Sequence, residues 1–363
     1  MLVTLPAALA AQTSRSRPKA KPLPSVGEFV RFTDPTTETF VVRLTSLTSS
    51  SYLPSALNRF VSVKDRYLVF SSDRNGPMAP FQVDLHSGVV RQLASPAHLV
   101  AQSLCLDPKE RWLYFLDGDR LTRTDLTKKD AKRQAPETLA DGVSSFSISS
   151  NGTAFLIRSG SLQSLETSGE PQTILAAPDA GASCLAQPAG GLGCVVMREL
   201  GPSEKEFWYA AAAGANPVLL AKGAIANPCW SPNGQSLLFL RDMSKQPDVV
   251  LTEIHEVGLN GLGEHCLAPT SMFASFAPNF DGSVFVGASR SKAQPNVVLL
   301  LRTAKREMTL CQHHASHPAG VSPSFSPDAR RVYFQSDEEG KPALYSVNVE
   351  LLVEPPGESG TEG

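Results

Sequence analysis

Pro228-Cys229-Trp230-Ser231-Pro232-Asn233-Gly234-Gln235-Ser236-Leu237-Leu238-Phe239-Leu240-Arg241-Asp242 and Pro323-Ser324-Phe325-Ser326-Pro327-Asp328-Ala329-Arg330-Arg331-Val332-Tyr333-Phe334-Gln335-Ser336-Asp337 are two copies of one pattern. Each reads as a strand, a Pro/Asp/Asn/Gly turn, a second strand and a polar stop, with a third strand after it. Weaker copies start near residues 60, 103, 144, 183 and 273, beside those near 227 and 322. A repeat of roughly 40 to 49 residues built only from strands and turns is the signature of propeller blades. The expected fold is therefore all-β, a seven-bladed β-propeller with four-stranded blades.

The register of the copies holds around their turns, at Lys64-Asp65, Asp107-Pro108-Lys109, Asn151-Gly152, Gly190-Gly191, Asn233-Gly234, Asp281-Gly282 and Asp328-Ala329. Asn-Gly and Asp-Gly suit the positive φ of tight hairpins. In the strand before the turn, large apolar residues (Leu106, Ile148, Trp230, Phe276, Phe325) alternate with small ones (Cys105, Ser147, Cys229, Ser275, Ser324). Side chains alternate faces along a strand. The large set is expected between blades, and the small set against the crowded neighbours of an innermost strand.

The last copy lacks an outer strand such as Gly88-Val89-Val90-Arg91-Gln92-Leu93, and a spare one lies at Thr39-Phe40-Val41-Val42-Arg43-Leu44-Thr45. The N-terminal strand is expected to complete the last blade, because an open ring leaves two exposed sheet edges. Residues 28–350 then form one propeller, preceded by a signal-like or disordered stretch at 1–25 and followed by a disordered tail at 351–363.

Lys and Arg number 33 against 35 Asp and Glu, a net charge of −2, which argues against a nucleic-acid partner. The basic stretch Lys128-Lys129-Asp130-Ala131-Lys132-Arg133 reads as a solvated loop. No apolar run reaches the length of a membrane span. Met1 to Gln12, with Ala8-Leu9-Ala10, resembles the end of a secretory signal, so a periplasmic or secreted location is expected, with a cytoplasmic tail as the alternative. Six cysteines are too few to staple such a domain, though Cys184 and Cys194 flank a turn symmetrically and are candidates for a disulfide. Trp112 and Trp230 read as core, and Trp208 is left open.

Two regions resemble a known family. Phe32-Thr33-Asp34-Pro35-Thr36-Thr37, leading into Arg43-Leu44-Thr45 and then Val69-Phe70-Ser71-Ser72-Asp73-Arg74-Asn75-Gly76-Pro77, is similar to the N-terminal part of the oligogalacturonate lyases. The stretch Ser324–Asp328, then Val332–Asp337 and Gly340-Lys341-Pro342-Ala343-Leu344-Tyr345, resembles their C-terminal part, and Asn279-Phe280-Asp281-Gly282 also fits. The broader likeness is to TolB-like propellers. The resemblance implies a seven-bladed propeller that cleaves galacturonate oligosaccharides by β-elimination around a divalent metal, typically manganese, held in the central channel by three His and one Gln. Such a cation neutralises the uronate carboxylate, and a base removes the acidified C5 proton.

The chain departs from that pattern at the ligand positions. Alignment on Pro323-Ser324-Phe325 sets Ser322 and Gly320 where two His are expected and His317 where the Gln is expected; alignment on Asn279–Gly282 sets Ser275 at the remaining His. Arg198-Glu199-Leu200-Gly201-Pro202 keeps only a remnant of the family's His-Glu-Gly-Pro-His stretch. Gln312, His313, His314 and His317 have the density of a metal site, and two readings stand for them: a rebuilt site or a solvated loop. His255 and His265 read as inter-strand loop residues. Nucleophile-elbow, metalloprotease and phosphate-loop motifs are absent from the sequence.

The leading expectation is a lyase-like propeller with a degenerate metal site, acting as a binding or scaffold module, its partner a uronate oligosaccharide or an envelope protein. The alternatives are a manganese-dependent lyase with a remodelled site and a TolB-like periplasmic interaction protein.

Overall fold

The computed structural model describes residues 27–128, 135–166, 169–176, 183–188, 193–211, 215–244 and 251–353. The signal-like stretch, the Gly190-Gly191 turn, most of the basic loop and nearly all of the C-terminal tail lie outside the described residues. Among those described, seven antiparallel sheets form the ring of a β-propeller, six of them four-stranded. Blade one runs from Ser51–Tyr52 to Val90–Gln92, blade two from Cys105–Leu106 to Glu137–Ala140, and blade three from Val143–Ile148 to Gln172–Ala176. Blade four runs from Ser183–Ala186 to Val218–Gly223, blade five from Ile225–Trp230 to His265–Thr270, and blade six from Phe273–Pro278 to Arg306–Gln312. Blade seven consists of Ser324–Phe325, Arg331–Ser336 and Ala343–Asn348, completed by Phe40–Arg43. No helix of the described residues is long and apolar enough to cross a membrane.

The turn that punctuates the repeat has a local cause. A polar residue, Ser62, Asp107, Ser231, Asn279 or Ser326, stands at its first position, and its side-chain oxygen accepts the backbone N–H five residues on, from Tyr67, Trp112, Ser236, Val284 or Arg331. Its carbonyl accepts the N–H three residues on. That third residue has positive φ in every case: Asp65 (49°), Glu110 (56°), Gly234 (68°), Gly282 (72°) and Ala329 (56°). Glycine reaches this conformation at little steric cost, while Asp, Glu and Ala are held there by the hydrogen bonds around them.

Six apolar clusters join neighbouring blades. One contains Leu106 and Leu113 of blade two, Phe70 and Phe81 of blade one, and Tyr333 and Leu344 of blade seven. Another joins Trp230 and Phe239 of blade five to Val195 and Phe207 of blade four. Phe276 and Phe285 of blade six meet Leu238 and Ile254 of blade five. The large residues before the turns therefore sit between blades, as the alternation predicts. Among the small ones, the Ser147 hydroxyl accepts the Ala186 N–H of the next blade's innermost strand at 3.0 Å.

Three expectations are corrected. Trp112 is at the edge of the core and not inside it: it packs half-buried against the cluster of blades two and three, with the guanidinium groups of Arg111 and Arg123 over its ring at 4.9 and 4.3 Å from the centroid. Cys184 and Cys194 do not pair. The register sets Cys184 opposite Val196 and Cys194 opposite Ala186, so the two lie diagonally, and all six thiols are free. The first copy begins earlier than residue 60. Its innermost strand is Ser51–Tyr52, and the chain rejoins the sheet only at the isolated bridge Val61 to Leu68.

Ring closure follows the expected route and adds to it. Phe40–Arg43 pairs antiparallel with Ala343–Asn348, with Val42 opposite Ser346. Val30–Thr33 then pairs with Phe40–Arg43 as a fifth, outermost strand. The hairpin between them is fixed by Asp34, which is 4% exposed. Asp34 Oδ1 accepts the N–H groups of Thr36 and Thr37, each at 2.9 Å, and Oδ2 accepts the Gln312 N–H of blade six at 2.8 Å. Burial pushes this carboxyl up, but the hydrogen bonds from Gln312, Thr37 and Thr36 outweigh it and hold it below the ordinary aspartate value. On the other side, Asp65 of blade one accepts Tyr333 Oη at 2.6 Å and Arg331 Nη1 at 2.7 Å.

Asp34→Ala strips several donors of a charged acceptor, and hydrogen bonds to charged groups contribute about 1.5 to 3 kcal/mol each. The expected outcome is a loss of about 2 to 3 kcal/mol in urea unfolding monitored by tryptophan fluorescence; a loss within about 0.5 kcal/mol, the level of a neutral surface change, would refute a closing role for Asp34.

Candidate functional site

The innermost strands converge on a channel, and the chain itself enters it. Between Tyr52 and Phe60 the backbone leaves blade one, and Ser55 to Arg59 run across the centre of the ring. Ser55 N–H donates to the Gln102 carbonyl at 2.9 Å, and Leu106 N–H donates to the Arg59 carbonyl at 2.7 Å, tying the segment to blade two. Asn58 is buried, with its Nδ2 3.5 Å from the Ser103 carbonyl. Leu57 packs against the cluster of Leu185 and Trp230 on the far side. This segment divides the channel into cavities of about 550, 410 and 360 Å³.

The largest cavity lies between Ser55–Arg59 and the inner edges of blades five, six and seven. Its polar lining comes from Ser55, Asn58, Arg59, Gln102, Asn227, Ser322 and Ser324. Arg59 supplies the charge. Its guanidinium is ion-paired with Glu110 Oε1 at 2.7 Å and donates to the Pro108 carbonyl at 3.2 Å, a residue that lines the neighbouring cavity of about 410 Å³. Asn227 has positive φ, 50°, and its Nδ2 donates to the Phe276 carbonyl at 2.9 Å. No carboxylate, imidazole or amine lines this cavity among the described residues, and burial drives the Cys229 thiol at its wall far above its ordinary value.

Gly320 and Ser322, two of the positions where the resemblance implies a ligand, line this cavity. Ser275 does not; its side chain is buried and its hydroxyl has no partner. Together the three offer two neutral hydroxyls and no anionic or imidazole donor, a set that does not fit a divalent cation such as manganese.

The histidine cluster is spread out. His313 is 1% exposed; its Nε2 donates to the Ser289 carbonyl at 2.9 Å and its Nδ1 accepts the Ala315 N–H at 3.0 Å, so both ring nitrogens are engaged by backbone. His314, exposed and at φ 41°, faces Glu338 at 3.8 Å. His317 precedes the short 3-10 turn Pro318–Gly320, and its Nδ1 shares a 2.8 Å hydrogen bond with Ser316 Oγ. Gln312 braces the closing hairpin: its N–H reaches Asp34, and its Oε1 accepts Thr36 Oγ1 at 3.1 Å. The Glu199 remnant sits at the end of an outer hairpin, paired with Lys205 at 2.9 Å. Trp208 is half-buried, and its Nε1 donates to Glu206 at 2.9 Å.

His255 and His265 are corrected from loop to strand: they lie on Thr252–Gly258 and His265–Thr270 of blade five. Sequence reading also missed the segment Ser55–Arg59. Its signal was the gap between a two-residue strand and its continuation at Val61, which no repeat template exposes.

Burial pushes the His313 imidazole below its ordinary value of 6.5; the neighbouring His314 charge adds to this, and the Ser289 hydrogen bond and Asp337 oppose it. The unfolded chain then binds the extra proton, so the stability due to neutral His313 is present above pH 6.5 and lost as pH falls through the lowered folded-state value. The urea midpoint is expected to fall between about pH 7 and pH 5, and His313→Gln, which retains a donor for Ser289, should flatten that slope. Parallel slopes for the two proteins would refute the assignment.

No family model matches the sequence. An oligogalacturonide lyase of Pectobacterium atrosepticum is 27% identical over 176 residues, 40% of this chain and 43% of that protein. An oligogalacturonate lyase of Dickeya dadantii is 24% identical over 174 residues, with the same coverage. The match thus spans less than half the length of these curated relatives. Among solved structures, an oligogalacturonate lyase in complex with manganese superposes with a TM-score of 0.72 at 20% identity, covering 88% of this chain and 96% of that one. The oligogalacturonate lyase of Vibrio parahaemolyticus superposes with a TM-score of 0.75 at 19% identity, covering 89% and 96%. The chain is a seven-bladed propeller similar in fold, and over two-fifths of its length in sequence, to the oligogalacturonate lyases.

Proposed function

We propose that this propeller is a binding module that takes a uronate oligosaccharide into the channel cavity and does not cleave it. The observation that carries the reading is the lining of that cavity. Its one charged side chain is Arg59, paired with Glu110, among neutral amides and hydroxyls, and no described group lining it can act as a base near neutral pH. β-Elimination needs charge neutralisation at the uronate carboxylate and a base within hydrogen-bond reach of the C5 proton. A guanidinium offers the first in part, since it pairs with carboxylates and stays protonated. Ser275, Gly320 and Ser322, standing where the resemblance implies metal ligands, support the loss of the metal, and the lining without a carboxylate, imidazole or amine supports the loss of the base.

The relatives' names supply the sugar class, and the cavity's volume of about 550 Å³ falls in the range of small-molecule sites. A periplasmic or secreted location accords with this reading and with the signal-like Met1–Gln12.

The test joins an activity assay to a binding assay. Purified protein with digalacturonate and manganese should give no ultraviolet-absorbing product above a protein-free control. Calorimetry should give saturable digalacturonate binding that weakens at least about tenfold in Arg59→Gln, the equivalent of about 1.4 kcal/mol. Turnover abolished by combined replacement of His313, His314 and His317 by Ala would instead establish a remodelled lyase. Neither turnover nor sugar binding would overturn both readings and leave a protein partner.

A further inference from the structure

The outer half of blade five carries a cluster that the channel does not use. On Thr252–Gly258, Glu253 and His255 are two residues apart and share a face. On the next strand, Cys266 is the register partner of His255, and Glu264 lies just before that strand begins. A carboxylate oxygen of Glu253, a ring nitrogen of His255 and Cys266 Sγ all lie within 4.8 Å of one another. Among the described residues this is the group of His, Cys, Asp and Glu with metal-ligand spacing.

We propose that Glu253, His255 and Cys266 form a zinc site. Thiolate, imidazole and carboxylate together suit zinc, and three protein ligands leave a fourth tetrahedral position for water. His255 Nε2 lies 3.0 Å from Glu253 Oε2 and belongs to the metal side. Its Nδ1 lies 2.9 Å from Glu264 Oε1, and Glu264 is held by Arg241 at 2.6 Å. Metal-bound histidines donate their other ring N–H to a carboxylate in this way, which fixes the tautomer and orients the ring. Packing completes the support: His255 is buried and lies tilted against Phe239, ring centroids 5.9 Å apart, and the Arg241 guanidinium lies over the same ring, 5.4 Å from its centroid.

The two carboxylates flank the His255 ring, one at each nitrogen, with Arg241 on Glu264. Burial and the Glu253 carboxylate hold the Cys266 thiol protonated above its ordinary value, with Lys305 pulling the other way. Zinc entering the site forms the Zn–S bond as the S–H bond breaks; the proton leaves to solvent, and the neutral imidazole binds through Nε2. Cys266 is the exposed cysteine, the other five being buried or half-buried, so the chemistry is open to a direct test.

The full chain, reduced and freed of metal by dialysis against chelator, is titrated with cobalt(II) and then with zinc. A thiolate-to-cobalt charge-transfer band should grow to one equivalent per chain and vanish as zinc displaces cobalt. Cys266→Ser should remove the band. Glu264→Gln should keep it but weaken metal affinity roughly ten- to hundredfold, the effect of losing an orienting partner. The double variant His314→Ala, His317→Ala should behave as the parent, which separates this site from the histidines near the channel. No band in the parent, or a band that survives Cys266→Ser, overturns the proposal and leaves His255 as a bridge between two carboxylates.

Discussion

The structure rests on one pairing, that of Phe40–Arg43 with Ala343–Asn348. Each blade is a small sheet that buries its faces only against its neighbours, so every apolar cluster belongs to two blades or more. A ring of such sheets has no edge except at its ends. If the ends part, blades one and seven lose a face together, and Tyr333 and Leu344 lose the cluster they share with Phe70 and Leu106. The polar contacts at this seam are correspondingly specific. Leu344 N–H reaches the Thr45 hydroxyl across 299 residues of sequence, and Leu53 N–H reaches Gln335 Oε1 at 2.7 Å.

What was legible in the sequence is what is local. The Ser-Pro-Asn-Gly and Ser-Pro-Asp-Ala turns announce themselves because one side chain satisfies the backbone of its own hairpin, whatever the rest of the chain does. Alternation of Trp230 with Cys229, and of Phe276 with Ser275, gave the inter-blade faces for the same reason. The channel was not legible. Ser55–Arg59 has no periodicity, and its partners Gln102 and Leu106 belong to the next blade. The histidines near residue 313 left two readings open in the sequence, a rebuilt site or a solvated loop; the fold turns His313 into the protein and His314 outward. Glu253, His255, Glu264 and Cys266 lie in two period-two pairs that only the hairpin register brings together.

The blades and the channel rim are under different constraints. The blades need large residues between sheets and a polar group at each turn, and those positions are filled here by residues that fit. The inner rim carries no such demand. Gly320 and Ser322 line the cavity, and the buried Ser275 hydroxyl has no partner. Asp34 is the reverse case. It resembles a family signature, yet in the structure it is an anchor for the seam, accepting hydrogen bonds from two segments that are distant in sequence.

The closing strand has a consequence for how the molecule is made. Residues 40–43 leave the ribosome long before their partner at residues 343–348, so this blade-seven strand must wait until all the intervening blades have been made. Contacts of such long sequence separation are the slow ones to form, since loop-closure entropy must be overcome before they reward it. Until then the nascent chain carries an apolar hairpin, with Phe32 and Phe40 on it, beside an unfinished arc of blades. Vectorial synthesis thus gives this protein an open, edge-bearing intermediate as an obligatory stage of its life.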